Sequence, residues 1–123
     1  MLDVQQGDIV LVPVPFTDLT CSRKRPVIVL SNDQYHKTTE DMVIVAMTSN
    51  PTKTPFSFVI TSKDLVSGAL NRPGTVRSDK IYTLSRRIAV RMFGRVGRPV
   101  LDNIRVARIA VQDVAHPGYA VSR

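Results

Sequence analysis

Short runs of apolar, largely β-branched residues recur along the first two-thirds of the chain, each too short for a helix and each closed by polar or proline-bearing stretches. Residues 8–14 form the first such run, ended by Pro13 and Pro15, which remove ladder donors. A polar connection over 17–24 follows. Val27 to Ser31 is then continuously apolar, the pattern of a strand covered on both faces. Pro26 sets its start at an edge or a sheet mouth. Residues 32–41 read as polar and turn-like. Residues 42–47 form another buried strand, stopped by Ser49-Asn50-Pro51.

Residues 56–60 partly alternate, as a half-buried strand does. Ser62 is placed to cap a short helical turn reaching Leu65, with Gly68 as its stop. Residues 74–78 and 81–84 read as one strand interrupted at Asp79-Lys80. The last strand, 88–96, turns Ile88, Val90 and Met92 one way and Ala89, Arg91 and Phe93 the other. Gly97 and Pro99 open a helix in which Val100, Ile104, Ala107, Val111 and Val114 share a stripe. Asp102, Arg105, Arg108 and Gln112 avoid that stripe, and His116-Pro117-Gly118 ends the helix. Short strands followed by one terminal helix predict a small barrel with a helix packed on it, mostly β with some α. At 123 residues the whole of 1–123 is expected to be one domain.

Composition narrows the setting. A hydrophobic content of 43% is that of an ordinary globular protein. The single cysteine, Cys21, cannot form an internal disulfide and suits a reducing compartment. The first six residues lack a basic segment followed by an apolar core, and the longest apolar run is too short for a bilayer. A cytoplasmic protein with no membrane partner is expected. The net charge of +7 is unevenly spread: from Arg72 onward eleven Lys/Arg face only Asp79, Asp102 and Asp113, a balance of +8, while residues 1–71 balance at −1. That asymmetry suits a polyanion or an acidic protein, and equally a merely solubilised surface.

Several chemistries lack their residues. His36, His116 and Cys21 fit no usual zinc spacing, there is no phosphate-cradling Gly-rich loop, and the acids are scattered. No metal or other cofactor is expected. What remains is arginine, hydroxyl and carboxylate chemistry. Arg25 opens one strand, Thr48-Ser49 closes another, and Arg77 and Asp79 stand two apart on a third. RNA carries its own nucleophile, the 2′-OH, so a fixed cation, a hydroxyl donor and one base suffice to cut it. Arg23, Lys24, Ser49, Lys80, Arg86 and Arg87 are candidate RNA contacts, with Arg91 a further phosphate-binding cation. Each also has a plain reading: a surface charge, a strand terminator, or a same-face ion pair. His36 reads as exposed in a polar loop.

The order of four segments carries more than any one of them. Gly7-Asp8-Ile9-Val10, Arg25-Pro26-Val27-Ile28-Val29, Val45-Ala46-Met47-Thr48-Ser49 and Val76-Arg77-Ser78-Asp79-Lys80 together resemble the MazF/PemK (Kid) family of toxins. The resemblance implies an SH3-like small barrel of the plasmid-maintenance type with a C-terminal helix, working as a homodimer. It implies metal-independent, sequence-specific cleavage of single-stranded RNA, neutralised by an acidic antitoxin, with operator DNA bound only through the antitoxin complex. It assigns catalysis to Arg25 and Thr48 and, in the PemK/Kid branch, to Arg77 and Asp79. The chain departs from the family's usual residues in its first loop, over 17–22, and at Lys80, where glutamine is usual. Two alternatives stay open: a CcdB-like toxin that binds DNA gyrase without cutting anything, and a noncatalytic nucleic-acid-binding barrel.

Overall fold

A computed structural model describes residues 2–13, 24–49 and 56–114, the side chains only as far as 111. Seven strands are found: β1 (Asp8–Pro13), β2 (Lys24–Val29), β3 (Asp41–Thr48), β4 (Ser57–Ile60), β5 (Leu65–Gly68), β6 (Gly74–Ser85) and β7 (Arg91–Val96). A short helix α1 (Asp33–Thr38) follows β2, and α2 (Arg98–Val114) follows β7. The strands form one antiparallel sheet in the order β4-β6-β3-β2-β1-β7-β5, curled into a half-barrel with the helix at its C-terminal end.

The central strands are apolar because both sheet faces are covered. One face carries Val10, Val12, Val27, Val29, Met42 and Ile44, capped by Leu2, Val4 and Ala89. The other carries Ile9, Ile28, Val45 and Val76, against which Val100 and Ile104 of α2 and Ile60 of β4 pack. Strand alternation alone divides these residues between the two cores. At ~25 cal/mol per Å² of apolar surface removed from water, these two clusters dominate the fold's stability. The stripe expected on α2 is the buried one, at Val100 and Ile104. Val106 and Ile109, off that stripe, stand 67% and 50% exposed.

Four expectations need correction. Residues 32–41 are not simply a turn: Asn32 accepts a hydrogen bond from the Tyr35 amide and nucleates α1. His36 is correspondingly buried rather than exposed, with Nε2 2.7 Å from Ser31 Oγ. Thr61, not Ser62, caps the 3₁₀ turn over Ser62–Asp64, forming a capping box with Asp64. Gly68 stops no helix. It ends β5 at φ +79°, and a Cβ there would lie 2.1 Å from the Phe93 carbonyl oxygen, so glycine is needed for β5 to approach β7.

A buried charge ties the N-terminal segment to β7. Asp8 is 1% exposed, accepting from Arg95 Nε at 2.8 Å and from the Gln5 amide at 2.7 Å. Arg95 also donates to the Gln5 side chain at 2.8 Å. Both carboxylate oxygens are thereby satisfied, as a buried charge requires. Arg95→Ala is expected to destabilise the fold by roughly 2–3 kcal/mol, because it strands a buried carboxylate whose site water reaches only in part. Urea denaturation checks this, and an unchanged midpoint would contradict it.

Candidate functional site

Register brings the separated sequence candidates together. In β2 and β3, Val27 lies opposite Ala46, Ile28 opposite Val45 and Val29 opposite Ile44. Two residues further along the same register, Arg25 is level with Thr48. On the far side of β3, Ala46 faces Arg77 and Thr48 faces Thr75. Alternation therefore sets Arg25, Thr48, Thr75 and Arg77 on one sheet face, beyond the apolar cluster of Val27, Val29 and Ile44. Directly opposed residues stand about 4.5–5.5 Å apart at Cβ, so one phosphate is in reach of several of them.

The interruption expected at Asp79-Lys80 is a bulge. Ala46 pairs with Arg77 but Val45 pairs with Ile81, so β6 holds Ser78, Asp79 and Lys80 as extra residues. Ser78 is drawn off the β3 ladder, and its amide donates to the Phe56 carbonyl at 2.9 Å. Such an insertion bends the strand and re-aims its side chains. Here it lets Asp79 turn back onto Arg77, which donates from Nε at 3.0 Å to one carboxylate oxygen and from Nη2 at 2.8 Å to the other. That hydrogen-bonded arginine holds Asp79 below the usual carboxylate range. A carboxylate so held is a weak base and a firm anchor. The pair is 21% and 29% exposed, so solvent screens it and its contribution to stability is modest.

Other candidates lie elsewhere. Arg86 donates to the His36 and Thr39 carbonyls, both at 2.8 Å, and to that of Glu40 at 3.2 Å, closing the C-terminal end of α1. Its donors are committed to the fold. Arg87 pairs with Glu40. Both follow the end of β6 that meets Asp41, the opposite end of β3 from Thr48. Lys24 begins β2 and is exposed, Ser49 follows β3 and is exposed, and Lys80 stands in the bulge. Arg23 lies outside the described residues. Burial, reinforced by the Arg86 charge, pulls His36 below the ordinary imidazole value, which suits a neutral structural side chain.

A cavity of about 450 Å³ opens at the mouth where β2 begins and β3 ends, bordered by Pro26, Met47, Thr48 and Ser49. Arg72, Gly74, Arg91 and Phe93 also line it. Arg91 sits over the Phe93 ring, 5.2 Å from its centroid. Among the described residues, Arg25, Arg72 and Arg91 pair with no carboxylate, whereas Arg77, Arg87, Arg95, Arg98 and Arg105 do. Of these, Arg72 and Arg91 line the cavity, and Arg25 precedes its Pro26 border in the chain. Reading by segments passed over Arg72, although Arg72-Pro73 ahead of β6 repeats the Arg25-Pro26 of β2. A residue before proline favours an extended backbone, and each dipeptide stands at or just ahead of the start of a strand. Among the described residues no group of three His, Cys, Asp or Glu is placed to hold a metal ion. No helix among them is long and apolar enough to cross a membrane.

A family model described as the PemK-like, MazF-like toxin of type II toxin–antitoxin systems matches residues 5–111. No curated protein sequence is matched. Among solved structures, an endoribonuclease in complex with its cognate antitoxin from a mycobacterial species is similar at 19% identity and a TM-score of 0.71, covering 90% of this chain and 96% of that one. A MazE–MazF complex from Deinococcus radiodurans is similar at 23% identity and a TM-score of 0.71, covering 91% and 98%. Toxin MazF-mt6 of Mycobacterium tuberculosis is similar at 16% identity and a TM-score of 0.68, covering 86% and 96%.

The depressed Asp79 pKa fixes a pH dependence. Its folded value lies below the ordinary aspartate value of 3.8, so its contribution to stability is present above about pH 4 and lost as pH falls through the folded value. Asp79→Asn is expected to lower stability by at most about 1 kcal/mol at pH 7. The gap from wild type should close towards pH 3. Thermal melting of both proteins across that range is the check, and a gap that widens on acidification would be the wrong sign.

Proposed function

The chain belongs to the PemK-like, MazF-like toxins of type II toxin–antitoxin systems, and on that premise we propose that it is an endoribonuclease that cuts single-stranded RNA. The observation that carries this reading is the placement of Arg25, without a carboxylate partner among the described residues, on the same sheet face as Thr48 and the Arg77–Asp79 pair. A phosphodiester needs such a set. Its 2′-OH attacks the adjacent phosphorus, the 5′-oxygen leaves, and a 2′,3′-cyclic phosphate remains.

Each side chain has a distinct part in that step. Arg25 stays charged at any physiological pH and stabilises the negative charge that builds on the nonbridging oxygens. The Thr48 hydroxyl donates to one of those oxygens. Arg77 presents a second cation, which Asp79 holds in place by gripping two of its donors. Asp79 accordingly positions Arg77, a role its depressed pKa supports better than that of general base. Lys24, Ser49 and Lys80 border this group and contact the strand on either side of the cut, with Arg23 preceding them in the chain.

The working form is a homodimer in the cytoplasm, neutralised by an acidic antitoxin. Support comes from family membership, from the antitoxin complexes among similar structures, and from the basic second half of the chain. Operator DNA is engaged only through that complex. Catalysis uses no metal.

Arg25→Ala is expected to abolish cleavage of a long single-stranded RNA in the presence of chelator, with melting unchanged. Arg25→Lys should rescue it poorly, because a point charge lacks the planar fork. Thr48→Val removes only a hydroxyl and should slow cleavage less than Arg25→Ala; loss of one preorganised donor typically costs ~2.7–4 kcal/mol. A folded Arg25→Ala protein that cuts at the wild-type rate would sink this reading and favour a gyrase-binding toxin. RNA affinity should also fall with salt, log K against log salt sloping by about −0.7 for each phosphate contact.

A further inference from the structure

We propose that the cavity at the barrel mouth is a pocket for one unstacked nucleobase next to the scissile phosphate, stacked on the Arg91 guanidinium and met at its edge by Arg72. The inference rests on the ribonuclease reading and adds to it the part of the protein that reads sequence. Thr48 and Ser49 border the cavity, while Pro26 and Met47 line it from the sheet face opposite to Arg25 and Arg77, so an RNA strand with its phosphate at Thr48 reaches the opening with its next base by rounding the end of β3. The volume, about 450 Å³, lies within the range of small-ligand sites and suits a group of nucleoside size.

The lining has the character such a base requires. Leu70 and Phe93 supply apolar wall, while Arg72 and Arg91 have no carboxylate partner among the described residues. Arg91 already lies over the Phe93 ring at 5.2 Å, so its cation is held beside an aromatic face. Single-stranded bases are commonly held on guanidinium planes. Arg72 is exposed, and Pro73 restricts its backbone to extended conformations. An arginine so held favours a base edge with two acceptors, which is the Hoogsteen edge of guanine.

The test uses full-length protein and mixed-sequence, uncleavable 2′-O-methyl RNA oligonucleotides carrying 2-aminopurine at one successive position each. Fluorescence quenching confined to one position is expected on binding. Arg91→Ala and the volume-conserving Phe93→Leu should abolish that quenching and weaken binding roughly ten- to a hundredfold. On cleavable RNA the same variants should raise KM by a similar factor, with kcat changed less than threefold, and should broaden the cut-site preference at one flanking base. Arg72→Ala should relax guanine preference there alone. Quenching and preference that survive both Arg91→Ala and Phe93→Leu would overturn the pocket, as would variants that turn monomeric by light scattering, since the cavity would then be a subunit contact. A wild-type protein that cuts no RNA would sink the ribonuclease reading separately, while the quenching series would still decide whether the cavity takes a base.

Discussion

The covering of β1, β2 and β3 on both faces constrains everything else in this molecule. A strand buried on one side tolerates charge on the other, but these three tolerate none through their middles. Charged and hydroxyl side chains are therefore driven to the strand ends. Arg25 stands near the start of β2, Thr48 ends β3 and Arg91 starts β7. Antiparallel pairing brings those three ends to one mouth. The grouping of chemistry there follows from the demand that the middle stay apolar.

Asp8, the carboxylate buried among the described residues, follows the same logic. Asp8 lies at the beginning of β1, where the Gln5 amide and the Arg95 fork converge on it. In the sequence it is only the second half of a Gly-Asp pair. Nothing local forecasts its burial, because its partner is 87 residues away.

Long apolar runs were the legible part of the fold. The extent of β1, β3 and α2 follows from them closely, as does the break in β6, because burial on both faces and an amphipathic stripe each leave a plain pattern. Residues 32–41 and 62–68 were read less well. There a single capping side chain, Asn32 or Thr61, or a close backbone approach at Gly68, decides the conformation, and hydropathy records none of these. The site divided in the same way. Arg25, Thr48, Arg77 and Asp79 stand out by their places at strand ends and a strand break. Arg72 and Phe93 do not, since what distinguishes them is the wall they share across the sheet. The charge of Arg86 is visible in sequence, and the three carbonyls it serves are not.

That last arrangement bears on the order in which the chain assembles. A helix of six residues cannot persist alone in water, where nucleation outweighs so few propagating bonds. The guanidinium that closes α1 arrives only after β6 has been laid down, 46 to 50 residues later. The closure of α1 thus depends on a residue carried back to it along the full length of β3.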